Sequence, residues 1–97
     1  MKQSVEVIFH AVLVLRLIVI TGRHIRAARA LLGLSQSELA KKSKVALRTL
    51  SRMEESDGAV NARTATLTRI VLTLERAGVE FLDSGNPGVR LKLQGKN

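Results

Sequence analysis

The sequence predicts a mostly helical domain of about four helices, followed by a C-terminal β-hairpin and preceded by an extra apolar element. Three observations carry that prediction. Apolar residues recur at three- and four-residue spacing from Ile25 to Leu74. Gly33 and Gly78 stand where those apolar periods stop. Beyond Gly78 the alternation changes to period two. The chain divides accordingly into an extension over 1–20, a helical domain over 21–78, and a hairpin with its tail over 79–97.

The extension contains the apolar run Val5 to Ile20, VEVIFHAVLVLRLIVI. It is short for a membrane span, which needs ~20 apolar residues, and it carries Glu6, His10 and Arg16. It is also a poor secretory leader, because only Lys2 precedes it and Thr21-Gly22 leads straight into the domain. Glu6, His10 and Arg16 occupy even positions, as on one face of a strand, and also share one side of a helical wheel. β-branched content favours strand; the length favours helix, and helix is the expectation.

The first helix of the domain is expected from about Gly22 to Leu32, with Thr21 as its N-cap and Gly33 as its stop. Ile25, Ala28, Leu31 and Leu32 form its apolar face, while Arg23, His24 and Arg26 lie largely off it. Leu34 is expected in the core. Ser35 and Glu38 then stand at capping-box spacing, opening a short helix with Leu39 and Ala40 on its inner side. Val45 belongs to a tight break, and Leu50 and Met53 give the next helix a buried face. Arg48, Ser51 and Arg52 are left on the wet face. Two short crossed helices, the second presenting arginines outward, have the form of a helix-turn-helix whose second helix enters the DNA major groove.

The segment ESDGAVNA, beginning at Glu55, reads as a loop. Asn61 or Thr64 can cap a fourth helix running to about Ala77, with Leu67, Ile70, Val71 and Leu74 as its apolar stripe. VEFL, a turn at DSGNPG, and VRLKL then alternate as a hairpin in which Val79 and Phe81 share a face, as do Val89, Leu91 and Leu93. A lone hairpin is marginal in water, so its apolar face must cover the helices or pair across a dimer. Gln94 to Asn97 should fray.

Composition narrows the function. Aromatic residues make up 2% of the chain, which requires an aliphatic core and argues against base-stacking platforms for single strands. The formal charge of +8 favours a polyanionic partner, nucleic acid foremost and an acidic membrane surface second. With no cysteine there is no disulfide framework and no thiolate metal site, and His10 and His24 have no ligand cluster, so neither metal nor cofactor is expected. An enzyme is not expected either: thiol nucleophile, carboxylates paired near a histidine and phosphate-cradling loop are all missing. Glu54, Glu55 and Asp57 read as a solvated or structural cluster at a helix end.

Gln36, Glu38, Leu39, Ala40, Val45, Leu50 and Glu54 resemble the helix-turn-helix of Cro and the phage repressors, the XRE family of transcriptional regulators. The resemblance runs back through Arg26 to Gln36 and forward through Ala65 to Phe81, closer to small single-domain members than to two-domain repressors. It implies a lambda-repressor-like bundle and a cytoplasmic, nucleoid-associated regulator that binds double-stranded DNA, as a homodimer on a two-fold operator. It also implies that Gln36 clamps a phosphate and that Arg29 pairs with Glu54 behind the reading helix. From the docking geometry of such a helix, Ala46, Leu47, Arg48 and Arg52 are the candidates for base contact. Arg48 and Arg52, spaced i, i+4, suit guanine O6 and N7, and Leu47 suits a thymine methyl. Lys44, Thr49 and Arg63 are further backbone candidates.

Two departures from the family pattern stand out. Lys44 occupies a turn position where the family has glycine, and Ala46 stands where a Ser or Thr caps the reading helix. The family's proteins begin near the residues matching Ile20-Thr21-Gly22. The extension is therefore open to three explanations: an element packed on the domain or on a second copy, a membrane attachment, or sequence translated from an upstream start. Two further functions stay open beside regulation. One is a protein-interaction module of the same fold, such as the antitoxin of a toxin–antitoxin pair. The other is a membrane-associated basic protein.

Overall fold

A computed structural model describes residues 20–56, 63–82 and 87–92. Its elements are α1 (Gly22–Leu32), α2 (Gln36–Ser43), α3 (Leu47–Glu54), α4 (Thr64–Arg76), β1 (Val79–Leu82) and β2 (Gly88–Leu91). The expected four helices and the antiparallel hairpin are both present. The expectations for Val5 to Val19, for the loop around Asn61, for the turn over 83–86, and for Leu93 and the tail lie outside the described residues.

The core is aliphatic, as the composition requires. Ile20, Ile25, Leu39, Leu50, Ile70, Leu74 and Val79 are all at most 2% exposed. Ile20, placed in the extension by the sequence boundary, thus packs with the domain. Each such side chain contributes roughly 1.5–3 kcal/mol by leaving water. Phe81 joins this cluster from β1, and Leu32 and Val89 pack against its edge.

Thr21 caps α1 through its hydroxyl, which accepts the His24 N–H at 3.3 Å. The box is closed by His24 itself, whose Nδ1 accepts the Thr21 N–H at 3.0 Å. This reciprocal role usually falls to Glu or Gln, and the periodicity places His24 largely off the apolar face without indicating it. Gly33 ends the helix in the left-handed conformation, φ 70°. Leu31, expected in the buried face, is 42% exposed. Ile25, Ala28 and Leu32 define the inward direction, and at ~100° per residue Leu31 points about a quarter turn away from it. Leu34 is half-buried and stays outside the core cluster.

Gly22 is where α1 meets the end of α3. A Cβ there would lie 2.5 to 2.7 Å from the carbonyl oxygens of Ser56, Met53 and Glu54. The Gly22 N–H donates to the Ser56 carbonyl at 3.2 Å. The first turn of α1 thereby presents donors to the carbonyl end of α3, the favourable dipole arrangement.

The start of α4 differs from expectation. Its N-cap is Arg63, which makes no side-chain cap bond, and Thr64 is already the first helical residue. The apolar stripe Leu67, Ile70, Val71 and Leu74 is buried. α4 packs on α2 and β1, and the hairpin covers α1. In the hairpin Val79 pairs with Leu91 and Phe81 with Val89, and the Lys92 N–H extends the ladder to the Gly78 carbonyl at 2.7 Å. The shared face is therefore the expected one, but it is buried only at the β1 side; Leu91 is 47% exposed.

Candidate nucleic-acid interface

The geometry begins at Ser35, whose Oγ accepts the Glu38 N–H at 3.0 Å while the Ser35 N–H donates to Glu38 Oε1 at 2.8 Å. These two bonds start α2, and the Ser35 N–H on its Oε1 holds the Glu38 carboxyl below the usual carboxylate range. Lys44 ends α2 at φ 59° and ψ 40°, and is the non-glycine residue with positive φ among the described residues. Its N–H bonds the Lys41 carbonyl at 3.3 Å, and the Val45 N–H reaches back to Ala40 at 3.0 Å. The turn the family makes with glycine is thus made here by lysine, against the ~1–2 kcal/mol that a Cβ costs in this region. Ala46 follows as the N-cap of α3, with no side-chain bond.

α3 is sharply two-sided. Leu50, Met53 and Glu54 are buried. Leu47, Arg48 and Arg52 are exposed, with Ser51 intermediate. Leu47, Arg48, Ser51 and Arg52 line a shallow groove together with Gln36 and Glu55. Among the described residues Arg48 and Arg52 make no hydrogen bond or ion pair, so their guanidinium donors stay available to a ligand. Ala46 and Lys44 are exposed at the entry to the helix, Thr49 is half-buried, and Arg63 is exposed at the start of α4.

Behind this face stands a charged anchor. Arg29 Nε donates to Glu54 Oε2 at 2.7 Å and its Nη2 to Oε1 at 2.8 Å, the two-pronged geometry that suits a carboxylate. Arg29 Nη1 also donates to the Leu34 carbonyl at 2.9 Å. The Glu54 side chain is 2% exposed and that of Arg29 19%. The bond to Glu54 holds the Arg29 charge even more firmly than usual. Gln36, expected at a phosphate, donates its Nε2 to Glu54 Oε1 at 3.0 Å. Its carboxamide therefore ties α2 to the anchor; one amide proton and the carbonyl oxygen are left over.

Two residues of the site escaped the sequence reading in part. Glu55, in sequence one of an acidic cluster at a helix end, lines the arginine groove. Its spacing of seven from Arg48 and three from Arg52 places it on that face and could have signalled it. Arg69, unremarked on the outer face of α4, donates to the Lys44 carbonyl at 3.4 Å.

A pair of crossed helices joined by a tight turn, with a capped first helix and a second helix that turns free arginines outward, defines a DNA-binding helix-turn-helix. Residues 25–70 match the family described as helix-turn-helix. The chain carries a helix-turn-helix of the Cro and phage-repressor type, the XRE kind, and is in general terms a DNA-binding regulator. No curated protein matches the chain. Among the described residues no helix is long and apolar enough to cross a membrane, and no group of His, Asp and Glu is arranged to hold a metal ion.

Proposed function

We propose that the protein is a transcriptional regulator that reads a specific double-stranded DNA sequence in the major groove through α3. Ala46, Leu47, Arg48 and Arg52 contact base edges; Gln36, Lys44, Thr49 and Arg63 contact the backbone. The observation that carries this reading is the pair Arg48 and Arg52, exposed and unengaged one turn apart on a helix whose opposite face is buried. Each guanidinium matches the O6 and N7 acceptors of guanine. Glu55 adds an acceptor in the same groove, suited to a cytosine N4 amine. The protein acts in the cytoplasm as a homodimer on a two-fold site whose half-sites lie about one helical turn, ~34 Å, apart.

Selection from a randomised DNA pool tests this. A consensus with guanine in each half-site is expected, and Arg48→Ala or Arg52→Ala should relax the preference at one position each. Gln36→Ala and Arg63→Ala should weaken all sequences alike. A selection that enriches no consensus removes the base-reading assignment.

The hairpin supports a second role within the same reading. Its apolar face is left open at Leu91, which fits a protein partner such as a cognate toxin. Stoichiometric co-purification of such a partner from native cells, lost in Leu91→Asp, is the expected result.

A further inference from the structure

We propose that the groove between the C-terminal turn of α2 and the outer face of α4 docks an acidic protein segment that carries an apolar side chain among its carboxylates. The groove is lined by Lys42, Ser43, Lys44, Arg69, Leu72, Thr73 and Arg76. Four of these are cations, all exposed, and no carboxylate lines the groove. The closest acid on α2, Glu38, is committed to the Ser35 capping box. The two hydroxyls are also spent: Ser43 Oγ donates to the Leu39 carbonyl at 2.7 Å and Thr73 Oγ1 to the Arg69 carbonyl at 2.7 Å. Arg69 holds the Lys44 carbonyl and so fixes one wall. Among the described residues Lys42, Lys44 and Arg76 make no side-chain hydrogen bond or ion pair.

Two features favour a protein over nucleic acid here. Leu72 is 39% exposed among the cations, and a phosphate has nothing to offer it. An acidic segment with one aliphatic side chain satisfies both, placing the aliphatic group on Leu72 and carboxylates on Lys42 and Arg76. The groove also stands at the far end of α2 from Gln36, about 10 Å along the helix axis, and shares no residue with the arginine groove on α3. Lys44 is the one residue common to this groove and the proposed DNA contacts; Lys42, Arg69, Leu72 and Arg76 lie outside those contacts and give a DNA-bound regulator a site for an acidic partner.

The test is an amide-resolved NMR titration of the isotope-labelled full-length chain. The probe is a short synthetic peptide of Asp and Glu with one central Leu; its Leu→Ser twin and a duplex DNA serve as comparisons. Amide shifts are expected over Lys42–Lys44 and Arg69–Arg76. The Ser twin should bind more weakly, and Lys42→Gln with Arg76→Gln should weaken the peptide about tenfold. At about 0.15 M salt, where charges interact over only ~8 Å, the same double variant should keep duplex affinity within about threefold. Three results overturn the proposal: no shift at these residues with millimolar peptide, shifts confined to Leu47–Glu55, or a loss of duplex affinity in the double variant equal to that of Arg48→Ala. The last would hand the groove to the DNA backbone.

Discussion

At Glu54 a carboxylate with 2% exposure receives three N–H donors, two from Arg29 on α1 and one from Gln36 on α2. Glu54→Ala strands the Arg29 charge, and a buried pair broken from one side costs ~3–5 kcal/mol. Urea denaturation should show that loss; a change under about 1 kcal/mol would mean the anchor is not structural. Lys44 and Ala46 are the opposite case, positions where the chain is worse than it could be. Ala46→Ser supplies the missing cap of α3 and should add about 1 kcal/mol. Lys44→Gly relieves ~1–2 kcal/mol of left-handed strain but adds back ~0.5–1 kcal/mol of unfolded-state freedom, so it should be neutral to mildly stabilising. His24 makes the fold sensitive to pH. Burial lowers its pKa, and Nδ1 must stay unprotonated to accept the Thr21 N–H. The folded state therefore binds protons less readily than the unfolded chain. Its contribution is full above about pH 6.5, the ordinary imidazole value, and is lost as pH falls through the lowered value. Melting temperature should drop between pH 7.5 and pH 5.5 in the natural chain. His24→Gln, which keeps the box without titrating, should flatten that drop.

At the scale of elements, the close passage of α1 over the end of α3 makes a definite demand. Gly22→Ala places a methyl within 2.5 to 2.7 Å of three backbone carbonyls, none of which can rotate away. Overpacking of this kind costs roughly 1–3 kcal/mol, and the shift falls on the helix that carries Arg48 and Arg52. Thermal denaturation and duplex affinity should both worsen in that variant. The hairpin is held to the helices by Phe81, and Phe81→Ala should cost ~3–5 kcal/mol by calorimetry. Sequence periodicity was enough to find α1, α2, α3, α4 and both strands, because each is short and two-sided, and caps or glycines bound most of them; α3, which has neither, stands out by its buried Leu50 and Met53. It also separated the inner residues of α3 from its outer ones. What it could not find was relational. Gly22 looks like any glycine until α3 is set against it, and His24 looks like a surface residue until Thr21 turns toward it. Leu31 belongs to the apolar set by spacing, yet it lies about a quarter turn from the direction set by Ile25, Ala28 and Leu32 and meets solvent. Gln36 was legible as part of the site, but its bond to Glu54 depends on a contact across eighteen residues.

At the scale of the molecule, the chain carries eight more basic than acidic groups. Affinity for any duplex should fall with salt, each neutralised phosphate adding roughly −0.9 to the logarithmic slope. Arg63→Ala should reduce that slope by about one phosphate's worth, whereas a Leu47 substitution should leave it unchanged. A flat response to salt would contradict backbone contact altogether. The two-sidedness of α3 has a longer reach. The residues that orient this helix, Leu50, Met53 and Glu54, are distinct from those that face outward, Leu47, Arg48 and Arg52. The outward set can drift under selection without loosening the scaffold; under the proposed reading, descendants of this chain would acquire new target sites through two or three codon changes while every fastening beneath them is inherited intact.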